Sequence, residues 1–209
     1  MGNNLTPQWL LWAREIQALA QTSRFYAPDE FQRQRYARLT EIAAEIVSTY
    51  ANLPQEAVLQ AYKAQDGYAT PKVGVRAAIF QDGKLLLGRE RDDGGWTLPG
   101  GWADVEDTPS AAVEREVWEE TGFTAKAIRI IGVYDSNCSP YPAVFQLYRV
   151  MFLCEISGGE ARPSDETSEV CFFEQTEIPA ELSASRMEKR YIDAAFAAYA
   201  DPQRPADFD

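Results

Sequence analysis

Apolar residues over the first sixty positions recur at the three- to four-residue spacing of amphipathic helices. Thr6 and Pro7 are typical of a capped helix start, and the apolar positions that follow them are Trp9, Leu10, Trp12, Ile16, Leu19 and Ala20. A second run begins after Pro28 and contains Phe31, Tyr36, Leu39, Ile42, Ile46 and Tyr50. The pattern predicts two long helices, then a short helix over 55–63 and a linker over 65–71.

The pattern changes from residue 72 onward, where short apolar runs alternate with turn residues. It predicts strands at 73–80 and 84–88 joined by a turn, and further strands at 125–135, 145–156 and 169–174. Helical spacing returns at 109–121 and again from about Ser185, where Tyr191, Ala195 and Ala198 share one face. The tail over 201–209 is expected to be loose. Strands, a helix, strands and a final helix predict an α+β fold.

The length of 209 residues allows one sizeable domain, or one such domain with a small appendage. Two helices of this kind cannot bury a full core alone, so we expect them to pair and to dock on another surface. We therefore predict an N-terminal helical region at 1–66 and a second domain at 67–209. The helical region either stabilises the chain only, or also takes part in binding.

The charge balance narrows the classes of partner and of chemistry. The chain has 20 Lys and Arg against 32 Asp and Glu, which gives a net charge of −12, and it has no histidine. Binding to nucleic acid or to an anionic membrane needs clustered basic residues, so neither partner is expected. The lack of histidine excludes histidine bases and argues against a zinc site.

Cysteine spacing and the N-terminal segment predict a cytoplasmic protein. Cys138, Cys154 and Cys171 are well separated and lack the spacing of a metal-binding pair, so we expect reduced, buried thiols. The N-terminal segment lacks the basic start of a secretory signal. No apolar run approaches the length of a membrane span.

The most informative stretch is the acidic segment of the helix at 109–121. Glu116, Glu119 and Glu120 are three and four residues apart, so their carboxylates share one helix face. Three like charges this close repel one another unless a cation binds among them. Mg²⁺ is a hard cation that takes carboxylate oxygens and keeps positions for water and phosphate. The alternative is a solvated acidic face without a ligand.

The residues around this helix favour the site. Thr108 is a suitable N-cap, Pro109 suits the first turn, and Gly122 suits the left-handed position after the last turn. The loop that precedes the helix carries Gly100 and Gly101, and glycines allow the backbone to approach a phosphate or a metal closely.

This spacing resembles the motif of the Nudix hydrolases. Six fixed positions and two apolar positions fit it: Gly101, Arg115, Glu116, Val117, Glu119, Glu120, Gly122 and Phe123. The first acidic position of the motif falls on Asp107, where the family has glutamate, which puts the fine geometry of the loop in doubt. The resemblance implies an α/β/α sandwich with a mixed sheet, and Mg²⁺ as the cofactor, with Mn²⁺ as a substitute.

The resemblance also implies residue roles. The metal ligands would be the Gly101 carbonyl and the glutamates Glu116, Glu119 and Glu120, the last two being catalytic. Arg115 would orient a glutamate rather than contact the substrate, and Asp107 and Gly122 would be structural. The family places a base or a further metal ligand on a later loop, where Glu166 is favoured over Glu169 because Glu169 starts a strand.

Substrate contacts are assigned from side-chain chemistry. Arg89 and Arg91 are candidate phosphate contacts, although ordinary surface arginines are an equal alternative. Trp102, Tyr134 and Tyr141 are candidates for stacking on a base, although packing alone is the commoner role for each. Four N-terminal aromatic residues are candidates for a cation–π box around choline, with helix pairing as the alternative: Trp9, Trp12, Tyr26 and Tyr36.

The N-terminal region is similar to the helical region of some Nudix hydrolases, on Trp9, Ala13, the run from Ile16 to Gln21, and then Tyr26, Arg35 and Tyr36. The two resemblances imply hydrolysis of a nucleoside diphosphate derivative, with CDP-choline, giving CMP and phosphocholine, preferred over ADP-ribose. A non-catalytic nucleotide sensor is an alternative of another class. The surplus of aromatic surface in the helical region predicts a homodimer.

Overall fold

The computed structural model describes residues 6–138, 144–184 and 186–209. Within these residues the chain forms five helices and seven strands that divide into two compact units. The described part of one unit comprises 6–72, 137–138 and 144–146, and that of the other comprises 73–136, 147–184 and 186–209. No helix in the described ranges is long and apolar enough to cross a membrane. The stacking role predicted for Tyr141 concerns a residue outside these ranges.

The first unit contains the three predicted helices, α1 (Gln8–Phe25), α2 (Glu30–Ala51) and α3 (Gln55–Lys63). Asp29 caps α2 by accepting a 2.8 Å hydrogen bond from the backbone N–H of Gln32. The prediction that Thr6 caps α1 is wrong, because its hydroxyl donates to the backbone oxygen of Asn137 at 3.2 Å. The core of this unit consists of Leu10, Ala13, Ala43, Ala44, Val47, Val58, Leu59 and Tyr62.

The second unit is built on a mixed seven-stranded sheet. Its strands are β1 (Lys72–Gln81), β2 (Lys84–Glu90), β3 (Trp96–Thr97), β4 (Phe123–Asp135), β5 (Leu147–Gly159), β6 (Thr167–Phe173) and β7 (Asp207–Phe208). The strand order is β3-β2-β1-β5-β4-β7, and β6 pairs with β2. The helices of this unit are α4 (Pro109–Thr121) and α5 (Lys189–Ala200).

Alternation along β1 shows why this unit forms a layered sandwich. Val75, Ala77 and Ile79 belong to the core cluster that includes Val113 of α4. Ala78 belongs to a second cluster, which includes residues of α5. Because successive strand residues face opposite sides of a sheet, the two helices cover opposite faces. The predicted α/β/α sandwich with a mixed sheet is therefore confirmed.

Three details of the second unit differ from the sequence prediction. The prediction of a loose tail is wrong, because β7 pairs with β4 and Arg190 forms a 2.9 Å ion pair with Asp209. The short strand β3 was not predicted. The last helix begins at Lys189 rather than near Ser185, which itself lies outside the described ranges. The backbone N–H of Met187 closes a separate turn on the backbone oxygen of Ser183 before this helix begins.

Candidate active site

Helix α4 is held by its two ends and by one apolar edge. The Thr108 hydroxyl accepts a 3.2 Å hydrogen bond from the backbone N–H of Ala111, and Pro109 follows as the first helical residue. Gly122 ends the helix in the left-handed region, with φ at 78°. A Cβ at Gly122 would lie 2.4 Å from Cγ of Arg162, so this position requires glycine. These contacts fix the direction in which the acidic face of α4 points.

The glycine loop lies directly against the acidic face. The backbone N–H of Gly100 donates a 2.8 Å hydrogen bond to Oε2 of Glu120. A Cβ at Gly101 would lie 2.6 Å from Oε2 of Glu116, so the loop can approach this closely only without a side chain. Glu116 and Glu120 are consequently buried, whereas Glu119 is exposed at the rim.

Burial sets the electrostatics of this face. It raises the pKa of Glu120 to about 7 and also raises the pKa of Glu116. Arg76, on β1, is buried beneath the loop, donates to the backbone oxygens of Gly100 and Val75, and has its pKa lowered to about 10 by burial. Burial therefore shifts the pKa values of groups of both signs in this site, a pattern typical of functional sites.

Arg115 is the centre of an ion-pair network at the rim. Its guanidinium lies 2.8 Å from Glu116 Oε1, 3.0 Å from Glu119 Oε2 and 3.2 Å from Asp107 Oδ2. It also donates to the backbone oxygen of Trp102 at 3.2 Å. The geometry is that of a residue that orients carboxylates, and Asp107, although shorter than glutamate, reaches it.

The groove beside the acidic face has a volume of about 450 Å³. Its lining brings Glu166, on the loop before β6, together with Glu116, Glu119 and Glu120 of α4. Trp118 also lines the groove, with the guanidinium of Arg162 stacked 5.3 Å from its ring centre. The loop glutamate favoured by the sequence therefore faces the same space as the helix glutamates.

Among the described residues, those predicted to contact the substrate do not line this groove. Arg89 forms a 2.7 Å ion pair with Glu169, and Arg91 donates to the backbone oxygen of Ser164 at 3.0 Å. Trp102 is half exposed beside the glycine loop. Tyr134 is only 6 % exposed and packs against the ring of Tyr191 at 5.0 Å, in the core that includes residues of α5. The structure does not bring Arg89 or Tyr134 to the groove, and their predicted substrate contacts remain untested.

Sequence reasoning missed three residues near the acidic face: Arg76, Glu90 and Arg186. Glu90 is the last residue of β2 and forms a 3.3 Å ion pair with Arg186. The predicted strand ended at Gly88. Extending its alternation by two residues would have placed Glu90 on the same side as Leu86, which packs in the core beside α4.

Comparison with known proteins identifies the family. A model described as the NUDIX domain matches residues 70–195, and a model described as a UDP-X-like, N-terminal oligomerisation domain matches residues 7–62. The chain belongs to the Nudix family. This Nudix pyrophosphohydrolase has the acidic helix of the family, α4, and an N-terminal region that matches an oligomerisation domain.

Two relatives of this Nudix protein cover nearly its whole length, and a third covers 67% of it. It is 30% identical over 97% of both chains to YjhB of Bacillus subtilis (strain 168), which is provisionally named an ADP-ribose pyrophosphatase. A solved structure of a UDP-X diphosphatase is 30% identical, with a TM-score of 0.63 over 96% of this chain and 98% of that one. An ADP-ribose pyrophosphatase from Streptococcus suis 89-1591 is 35% identical, with a TM-score of 0.61 over 67% of this chain and all of that one.

Nudix hydrolases generally depend on a divalent metal, and the donor set of this Nudix domain fits one. Oε1 of Glu120 is buried and has no hydrogen-bond partner within the described part of the chain. A buried carboxylate oxygen without a partner is costly, and a hard cation is the ligand that suits it. No three acidic or cysteine side chains of the described residues converge as a ready-made metal cluster. One reason is that Arg115 forms ion pairs with Glu116 and Glu119, which keeps these two carboxylates from converging on a common point.

Proposed function

We propose that the protein hydrolyses the pyrophosphate bond of a nucleoside diphosphate linked to a second group, with Mg²⁺ as its cofactor and Mn²⁺ as a substitute. The observation that carries the proposal is the buried Glu120, which is held by the Gly100 N–H, has one oxygen unpartnered in the described chain, and lies beside an open groove. Glu116, Glu119, Glu120 and the Gly101 carbonyl are the proposed ligands of the cation.

The chain's own residues position the reaction. A divalent cation supplies positive charge for the two phosphates and makes a coordinated water more acidic. Arg115 keeps the carboxylates of Glu116 and Glu119 in place. Glu166 is the proposed base and takes a proton from the attacking water. The water oxygen bonds to one phosphorus, the bond from that phosphorus to the bridging oxygen breaks, and two phosphate monoesters leave.

Two substrates are favoured by different observations. ADP-ribose is favoured by the names of relatives, above all by the one that spans 97% of both chains. CDP-choline is favoured by the exposed aromatic rings of the N-terminal unit, which suit a quaternary ammonium group. Among these rings, Trp12 and Tyr26 are more than half exposed, whereas Trp9 stacks on Tyr50 at 5.4 Å.

The proposed assembly is a homodimer formed through the N-terminal region. The family model that matches residues 7–62 describes an oligomerisation domain. In addition, both long helices, α1 and α2, carry exposed apolar residues. Trp12 and Leu19 of α1 are seven residues apart and so lie on one helix face. An apolar stripe of this kind usually marks a contact surface.

A substrate panel tests the proposed function. The enzyme is incubated with Mg²⁺ and, separately, with CDP-choline, ADP-ribose, UDP-glucose and CMP, and the products are separated by ion-exchange chromatography. CDP-choline should give CMP and phosphocholine, ADP-ribose should give AMP and ribose 5-phosphate, and CMP should be inert because it has no pyrophosphate bond. If the enzyme hydrolyses none of the three pyrophosphate compounds, the proposal is contradicted.

A further inference from the structure

Glu90 is the least exposed acidic side chain of the described chain, at 2 %, and has no role in the reaction as described above. Its Oε2 lies 3.3 Å from Arg186, and its Oε1 has no hydrogen-bond partner within the described residues. Removing a carboxylate from water without satisfying both oxygens is unfavourable. This unsatisfied oxygen is therefore available to a ligand.

The sheet connects Glu90 to the acidic helix through a single buried residue. Glu90 is the cross-strand partner of Thr167 in the β2–β6 pair. The Thr167 hydroxyl donates a 2.6 Å hydrogen bond to the backbone oxygen of Glu120. Next to this pair, the backbone N–H of Arg91 donates to the backbone oxygen of Glu166 at 2.9 Å. The segments that carry Glu90, Glu120 and Glu166 therefore meet at or next to Thr167.

Two of these carboxylates share the same defect. Glu90 and Glu120 are both almost completely buried, and each has its Oε1 without a partner in the described part of the chain. One such oxygen could be a local accident of packing. Burial raises the pKa of both carboxylates, and the charge of the buried Arg76 offsets this only in part, without a hydrogen bond to either Oε1. The two unpartnered oxygens, on elements joined through Thr167, therefore suit one further positively charged ligand.

We propose that Glu90 is a further ligand of the divalent cation and shares it with Glu120. Mg²⁺ is commonly held by one or two carboxylates, with water and substrate phosphates as its other ligands. Glu90 therefore adds one carboxylate to the ligands proposed above. The inference rests on the proposed function, because it assigns Glu90 to the same metal-dependent hydrolysis.

Arg186 supplies the competing explanation, in which Glu90 only anchors this arginine. Its guanidinium contacts Glu90 at 3.3 Å and the exposed Asp92 at 3.6 Å. The Arg186 side chain is partly exposed, so it can turn to solvent when a cation binds. If Glu90 binds the cation, Arg186 competes with the cation, and removal of Arg186 strengthens cation binding. If Glu90 only anchors Arg186, cation affinity does not depend on Glu90.

Calorimetric titration with Mn²⁺ in the absence of substrate separates the two explanations. Glu90→Gln should raise the Kd for Mn²⁺ roughly tenfold or more, and Arg186→Gln should lower it. Glu174→Gln is the matched control, because Glu174 pairs with Lys84 at 3.2 Å at the opposite end of the β2–β6 pair. Its Kd should equal that of the wild type. Wild-type affinity in Glu90→Gln would overturn the proposal.

Two further measurements keep the result decisive. If Glu90→Gln does not fold, as judged by circular dichroism, Arg186→Gln decides alone: tighter Mn²⁺ binding supports the proposal, and equal or weaker binding overturns it. Glu120→Gln is titrated in parallel. If it weakens Mn²⁺ binding while Glu90→Gln does not, only the role of Glu90 fails. If the wild type binds no Mn²⁺, the metal-dependent function fails as well.

Discussion

The backbone N–H of Gly100 donates a 2.8 Å hydrogen bond to one carboxylate oxygen of Glu120, which joins the glycine loop to the acidic helix. The other oxygen of Glu120 is buried and has no partner within the described residues. The loop thus fixes the carboxylate while leaving one oxygen available to a ligand. A group held in this way is unfavourable for the ligand-free fold and useful for binding a cation.

Replacement of Gly100 by alanine should disrupt this junction. Gly100 has φ at 142°, and a Cβ would lie 2.2 Å from the backbone oxygen of Val75. Because that atom belongs to the backbone of β1, it cannot move aside easily. We expect the free energy of unfolding to fall by at least about 2 kcal/mol in urea titrations.

Gly158→Ala provides the control for this substitution. Gly158 lies in β5, and a Cβ there would meet Oγ1 of Thr124 at 3.4 Å, an ordinary contact. Its free energy of unfolding should change by less than about 1 kcal/mol. Equal effects of the two alanine substitutions would show that the approach of the loop to Val75 is not the cause.

The junction was predictable in part from the sequence. Thr108, Pro109 and Gly122 act locally, so the ends of α4 and the shared face of its glutamates follow from spacing alone.

Glu90 was missed because its burial depends on the pairing of β2 with β6, which joins residues about eighty positions apart. The order of the tail is not predictable from the sequence, because a two-residue strand such as β7 has no periodicity of its own and forms only by pairing with β4.

Glu120→Gln should stabilise the protein at alkaline pH when a chelator has removed divalent ions. Burial raises the pKa of Glu120 from 4.5 to about 7, so the folded state holds its proton more tightly than the unfolded state. This carboxylate therefore costs no stability below pH 4.5. Its cost grows between pH 4.5 and 7 and is fully present above pH 7, on the order of 3 kcal/mol.

Thermal melts in EDTA at pH 8 and at pH 5 measure this effect. The Tm of Glu120→Gln should exceed that of the wild type at pH 8, and the difference should shrink as pH falls toward 5. The amide oxygen of the glutamine can still accept the hydrogen bond from Gly100. A lower Tm for the variant at pH 8 would mean that the charged carboxylate stabilises the fold.

Arg115→Gln should reduce turnover more than it reduces stability. The guanidinium contacts Asp107, Glu116 and Glu119, but it is partly exposed, so these ion pairs contribute little to folding. We expect kcat to fall roughly tenfold to a hundredfold, with a change of less than about 1 kcal/mol in unfolding free energy. In the double variant with Glu119→Gln, the two losses in kcat should not add, because both variants break the same contact. Additive losses would contradict an orienting role for Arg115.

The N-terminal region should hold a homodimer together. Trp12 is 57 % exposed and lies on the same face of α1 as Leu19, so Trp12→Glu should place a charge within the contact surface. Light scattering at tens of micromolar should give a dimer mass for the wild type and a monomer mass for this variant. Ile128→Glu is the control, because Ile128 is 50 % exposed on β4 in the other unit. A monomeric wild type would defeat the prediction.

Deletion of residues 1–66 tests whether the helical region also selects the substrate. The truncated protein should lose its dimer mass and change its ratio of rates on CDP-choline and ADP-ribose. Residual hydrolysis should still require Mg²⁺, because the proposed ligands lie outside the deleted segment. An unchanged ratio of rates would restrict the helical region to assembly.

The rate of Mg²⁺-dependent pyrophosphate hydrolysis by Glu120→Gln, compared with that of Glu114→Gln, tests the central claim most directly. Both residues are on α4, but Glu114 faces away from the site and pairs with Lys126 at 2.9 Å. With the fastest substrate of the panel, Glu120→Gln should lose roughly a hundredfold to a thousandfold in rate, and Glu114→Gln should stay near the wild-type rate. A Glu120→Gln enzyme with the full rate and unchanged Mg²⁺ dependence would contradict the assignment of the acidic face as the catalytic metal site.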